Sequence, residues 1–160
     1  MNIFILDPDP EVAARQQCDK HVVKMILESA QLMAAACILN GAESPYKMTH
    51  QNHPCSIWAR QTRDNYDWLL LHHMAMLDEY TMRYGKTHKT GEYLGYWLNG
   101  SKAIPQGELT EFAQAMPDEL RVPGDAVAAY RSYYLRDKAA FATWKNGNIP
   151  DWWTQNLVAA

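Results

Sequence analysis

Apolar positions recur along this chain with helical spacing, and proline and glycine mark the breaks between runs. Residues 2–6, NIFIL, are apolar and β-leaning and predict one short strand or an extended N-terminal arm. Asp9, Pro10 and Glu11 then read as an N-cap, a proline at N1 and an acid in the first turn. The helix they open is expected to reach about Asn40, with a bend near Cys18 and Gly41 ending it. After a loop over 42–51, Asn52-His53-Pro54 opens the next helix, with 56–63 as a short helix of its own. The longest helix is predicted over 64–84, where Trp68, Leu69, Leu71, Met74, Ala75 and Leu77 form a broad apolar face and Gly85 stops it. A basic loop over 86–89 leads into a short helix over 90–99 closed by Gly100. Residues 101–124 are broken by prolines and glycines, with a short helix expected over 108–116. Asp125 should cap a last long helix reaching about Lys145, with Gly147 behind it. The tail from Ile149 reads as extended and pinned by Trp152 and Trp153. The fold class is therefore all-α: a compact single-domain bundle over 1–160 of about five to six helices with a short extended N-terminal arm.

Composition adds exclusions. The 160 residues are 48% apolar and 21% charged, enough for one hydrophobic core, and the net charge of −3 leaves room only for a local polyanion site. Three cysteines without a CxxC argue against a disulfide framework and a zinc knuckle. They suggest a reducing, cytoplasmic setting. The N-terminus has no basic region of the kind that opens a signal peptide. No window is expected to supply the roughly 18 apolar residues of a membrane span. Phosphate-loop, dinucleotide and nucleophile-elbow motifs are missing from the sequence.

Chemistry gathers on the first helix. His21, Lys24, Glu28 and Gln31 stand at i, i+3, i+7 and i+10, so they form one stripe, and Lys20 joins through Lys24. Nearly every other position there is apolar. Two readings stay open: a solvated strip with an ordinary Lys24–Glu28 pair, or a cleft where an acid, an ammonium and an imidazole move protons and hold an anion. At the second constellation Asn52 and His53 sit at a helix N-terminus, which favours anions, and Arg60 and Arg63 follow. A plain cap with surface arginines is the simpler account. RYGKTHK supplies Arg83, Lys86, His88 and Lys89 around a glycine turn, either a solvated loop or a phosphate-contact loop. Residues 130–144 interleave aromatics and cations at core spacing, and Arg131, Tyr133 and Lys138 can reach outward. A zinc site from His21, His53 and a third histidine has no fixed ligand set, so no metal or other cofactor is assigned.

The stretches MNIFILDPDPEVAARQQCDKHVVKMILESAQLM, NHPCSIWAR, EYTMRYGKTH and GDAVAAYRSYY resemble a small family of tailed-phage proteins. That resemblance implies a phage origin and action in the cytoplasm of an infected bacterium. More remotely, the layout is similar to the pyrimidine-dimer DNA glycosylases, the phage endonuclease V family. The shared elements are a charged patch about twenty residues into the first helix, Asn-His-Pro opening the next, an Arg-Tyr-Gly turn after a long helix, and late aromatics. The resemblance implies a compact all-α fold, and a DNA sugar attacked by the N-terminal amine with help from a glutamate next to an arginine. An α-amino group, with a pKa of about 7.7–8.0, suits nucleophilic work near neutral pH. Lys20-His21 stands at the place of the Arg-Glu pair, and Glu28 lies two turns on. Asn2 disfavours removal of Met1, so the amine would be that of Met1.

The expected function is action on DNA bases or nucleotides, most like a base-processing glycosylase. Glu28 would be the general acid/base or oxocarbenium stabiliser, His21 its proton partner, Lys24 an electrostatic anchor or Schiff-base nucleophile, and Lys20 and His53 further members of the site. Asn52, Arg60, Arg63, Arg83, Lys86, His88 and Lys89 would bind the substrate. The alternatives are a non-catalytic module that binds DNA or a host protein, and a histidine-ligated, metal-dependent nucleotide hydrolase. No membrane partner is expected.

Overall fold

A computed structural model describes residues 1–145 and 148–159. Among them are seven α-helices and no strand: α1 Pro10–Gln16, α2 Asp19–Leu39, α3 Pro54–Gln61, α4 Arg63–Tyr84, α5 Leu94–Ser101, α6 Ala126–Tyr133 and α7 Asp151–Ala159. The all-α class is as read from the sequence, with a slightly higher helix count. Local chemistry explains the starts. Asp9 accepts the Glu11 and Val12 N–H groups at 2.9 Å with Pro10 at N1. Thr62 caps α4 by accepting from Asn65 N at 3.2 Å, and Asp125 caps α6 by accepting from Ala128 N at 3.0 Å. Gly85, at φ 65, ends α4 in the left-handed region where a side chain is strained.

The N-terminal arm is the organising feature. Ile3, Phe4, Ile5 and Leu6 are all buried in the core. Gln17, in the break between α1 and α2, donates its side-chain amide to Ile3 O at 2.9 Å. The same amide donates to His72 Nε2 at 3.1 Å, while His72 Nδ1–H donates to Pro10 O at 2.9 Å. The expected bend near Cys18 is thus a full break, because Gln17 and Cys18 bond across the fold instead of continuing the helix. Helix α4 lies along α1 and runs antiparallel to α2. Its Tyr66 hydroxyl is 3.4 Å from Cys37 Sγ at one end, and its Arg83 reaches Gln17 O and Asp19 at the other.

Several elements differ from expectation. Helix α2 is long and apolar enough to cross a membrane, which the sequence reading did not anticipate, but most of that window is buried inside the fold. Residues 108–116 form no helix. Thr110 N donates to Asn65 Oδ1 at 2.9 Å and Ala115 N to the Tyr130 hydroxyl at 3.1 Å, so the segment is stretched between α4 and α6. The last long helix stops at Tyr133 and passes into a π-helical turn, Tyr134–Lys138. Gly147 lies outside the described residues. The tail is helical as α7, and its tryptophans do pin it: Trp152 Nε1 donates to Gln16 Oε1 at 3.0 Å, and the Trp153 ring lies 5.0 Å from that of Trp144. Gly100 sits inside α5 rather than closing it. A Cβ there would meet Cys37 Sγ and the Tyr66 hydroxyl, so glycine permits close packing of α5 on α2 and α4.

Candidate functional site

The arm carries its own end to the polar stripe of α2. The Met1 amine stands 3.7 Å from Glu28 Oε2, and the Asn2 N–H donates to the same oxygen at 2.9 Å. Lys24 Nζ lies 3.7 Å from the other oxygen, Glu28 Oε1. One carboxylate is thereby held between two ammonium groups. The Met1 side chain is 2% exposed and anchors the terminus; Met1 as a residue is half-buried, so the exposure it keeps is on its main chain.

Asn2 fixes this geometry. Its Oδ1 accepts from Ile3 N at 2.8 Å and Phe4 N at 3.3 Å, and its Nδ2 donates to Ala115 O at 2.7 Å. Phe4, at φ 58, adopts a backbone conformation that a bulky residue rarely takes. Its ring stacks on His21 at 4.1 Å.

His53 is the third member. It caps α3 through Nδ1, which accepts the Cys55 N–H at 3.1 Å, so the neutral ring carries its proton on Nε2. Burial first, then the Met1 ammonium and His50, lower its pKa, and the Glu28 charge opposes them. His53 therefore lies within electrostatic reach of both partners. A primary amine held at a carboxylate, with a neutral imidazole within electrostatic reach, can form an imine with an aldehyde-level carbon and move the protons involved.

The other residues singled out in the sequence divide. Lys20 is exposed, with its ammonium 4.8 Å over the Phe141 ring. His21 is not a proton partner of Glu28. It is buried, its Nδ1 bonds the Tyr134 hydroxyl, and burial followed by Lys138 and Lys24 pushes its pKa down to about 3. Two turns of helix, about 10 Å of rise, separate it from Glu28.

Arg83 is not a phosphate ligand. It is 4% exposed, and its guanidinium donates to Glu79, Asp19, Gln17 O and Arg15 O at 2.8–3.1 Å. Lys86 and Lys89 are exposed, and His88 caps the 3-10 turn Lys89–Tyr93 by accepting from Thr90 N at 3.2 Å. That segment leads into α5, which packs on α2 at Cys37. Cys37 is nine residues from Glu28, about 180° round the helix. The basic loop is thus on another side of α2 from the carboxylate.

Arg60 donates to Gln51 O at 2.6 Å and shares a surface hollow with Leu39 and Asn40, far along α2. Asn52 lines the same hollow. Arg63 donates to Lys102 O at 3.0 Å and Ile104 O at 3.3 Å, holding a loop. Among the described residues no three His, Cys, Asp or Glu side chains converge as a metal ligand set. The sequence did not reveal the anchoring role of Asn2. Asparagine is a known turn former, but its partner Ala115 lies far away in the chain.

Residues 1–92 match the family model of the pyrimidine dimer DNA glycosylases, which is more than half of the 160 residues, and the chain belongs to that family. No curated protein and no solved structure matches it. Family membership supports a glycosylase-like role in DNA repair with DNA as the bound substrate.

Proposed function

We propose that the chain excises a damaged or modified base from DNA, with the Met1 amine as nucleophile and Glu28 as acid/base. The observation that carries this reading is the 3.7 Å approach of the Met1 amine to Glu28 Oε2. The amine lone pair attacks C1′ of the deoxyribose, and a C–N bond forms there as the glycosidic C–N bond breaks. The base leaves with the bonding electron pair and takes up a proton from water. Glu28 accepts the proton released by the amine and assists opening of the sugar to an imine. Lys24 stabilises the carboxylate from its open side, and His53, a neutral imidazole that feels the charges of both Met1 and Glu28, assists proton movement. The glutamate that serves is Glu28, so the Lys20-His21 pair is not needed in that role. The reading includes a phage-encoded protein acting in the infected bacterial cytoplasm, the setting implied by the tailed-phage resemblance.

Borohydride trapping on duplexes carrying damaged bases or an abasic site tests it. A covalent adduct is expected with the wild type. Glu28→Gln should lower its rate by about a hundredfold or more, and acetylation of the Met1 amine should abolish it. A wild type that yields neither adduct nor abasic product across a broad panel overturns the reading.

A second reading has one observation in its favour. Glu28 also accepts the Asn2 N–H, so the carboxylate could serve as a structural tether of the arm in a non-catalytic DNA-binding module. In that case Glu28→Gln would lower the melting temperature while no adduct formed with the wild type.

A further inference from the structure

Helix α4 carries an open strip on the side away from α2. It meets α2 through Tyr66, whose hydroxyl is 3.4 Å from Cys37 Sγ. On the other side Asp64, Asp67, Leu71, Ala75, Asp78 and Met82 recur every three or four residues and share one face. Leu71 and Met82 are 49% and 59% exposed, and Asp64 and Asp78 are exposed as well. Two hollows flank the strip, and Met74 and Asp78 line both. Single exposed apolar residues are ordinary on a protein surface, but a row at seam spacing on one helix face is the pattern of a helix–helix contact.

Charge decides what covers it. Asp64 and Asp67 stand at the start of the strip, and Lys86 stands exposed just past its end, beyond Gly85. No described residue pairs with the side chain of Asp64 or Lys86, and Asp67 accepts one bond, from Ser101 Oγ at 2.6 Å. A parallel second copy would set acid against acid and lysine against lysine. An antiparallel copy sets Lys86 against Asp64 and Asp67 of the other chain at both ends. Helix α1 repeats the pattern. It runs beside α4 in the same direction, with Pro8 O bonded to Trp68, Pro10 O to His72 and Arg15 O to Arg83. Its Glu11 and Arg15 line one of the flanking hollows, are 67% and 51% exposed, and approach each other only to 3.9 Å. The same antiparallel arrangement places Glu11 opposite Arg15 of the other copy.

We propose that this face docks a second copy of the chain, antiparallel, about a two-fold axis that passes between Ala75 and Asp78. Leu71 then faces Met82 of the second copy, and Ala75 faces its Asp78. Asp78, which shares its hollow with Arg15, is the polar seam position that fixes the register. The contact is independent of the function proposed above, because the strip faces away from α2, the helix that carries Glu28.

Sedimentation velocity of the full chain over a concentration series tests this, and a monomer–dimer equilibrium is expected. Leu71→Glu puts an unpaired carboxylate in the seam and should weaken the dimer by about a hundredfold. The melting temperature of the monomer should hold, because Leu71 is already half open in the single chain. Lys86→Glu, in an exposed turn, should weaken the dimer by about tenfold. Disulfide formation reads the register, since the native cysteines are all buried. Leu71→Cys and Met82→Cys chains should crosslink when mixed, and neither should crosslink alone. About 16 Å of helix rise keeps like positions apart, and a disulfide needs Cα atoms within about 7 Å. A chain that stays monomeric throughout the series overturns the proposal. So does a dimer that neither Leu71→Glu nor Lys86→Glu weakens, because it would sit on another face. Crosslinking of either chain alone overturns it too, because the seam would then be parallel.

Discussion

Replacing Arg83 separates a structural cation from a phosphate ligand. Arg83 is 4% exposed, and its guanidinium engages two carboxylates, Glu79 and Asp19, and two backbone carbonyls, those of Gln17 and Arg15. These contacts tie the end of α4 to the break between α1 and α2. Through Asp19 they extend to Thr143 and Lys145. Arg83→Met preserves apolar bulk but leaves Glu79, itself 2% exposed, without its cation. Removing one partner of a buried pair costs about 3–5 kcal/mol, against a total stability of about 5–15 kcal/mol for a domain. For a chain of this length each kcal/mol moves the melting temperature by about 2–4 °C, so a drop on the order of 10 °C is expected. Thermal unfolding followed by tryptophan fluorescence measures it. The orphaned carboxylate should account for much of the loss, so Arg83→Met in a Glu79→Gln background should cost markedly less than in the wild type. A variant that melts within a degree of the wild type while losing DNA affinity would refute the structural assignment.

Acid should destabilise the protein. Burial holds His21, His72 and His73 at pKa values of about 3, 4 and 3, below the ordinary 6.5. The unfolded chain therefore takes up protons first, and stability falls as pH drops from about 6.5 toward those folded values. Each ring contributes on the order of 1 kcal/mol per pH unit, so the urea midpoint should fall steeply between pH 7 and 5; a flat profile would contradict neutral buried imidazoles. Gly100→Ala should lose about 1–3 kcal/mol through overpacking against Cys37 and Tyr66, and an unchanged melting temperature would show that α5 can shift. Lys24→Ala should lower the borohydride-trapping rate, because the Glu28 carboxylate loses the ammonium 3.7 Å from its Oε1, whereas Lys86→Ala combined with Lys89→Ala should leave that rate unaltered; the reverse ranking would move the site to the basic loop.

The sequence by itself determined the helical class, most helix starts and the place of the carboxylate. These follow from local causes: Asp9 and Pro10, Thr62 and Asp125 act on neighbouring N–H groups, and the spacing of Lys24 and Glu28 sets their shared face. Residues 108–116 carry a helical pattern yet form no helix, because Asn65 and Tyr130, distant in sequence, capture their backbone groups. The same limit applies to function. Arg83 looked like an open cation, and His21 looked like a partner of Glu28, because periodicity gives a face but not what covers it. Only the tertiary structure carried the arm through the core, so that Asn2 bonds Ala115 and the Met1 amine meets Glu28. That meeting joins residues far apart in the chain, and its geometry depends on packing that no local pattern encodes.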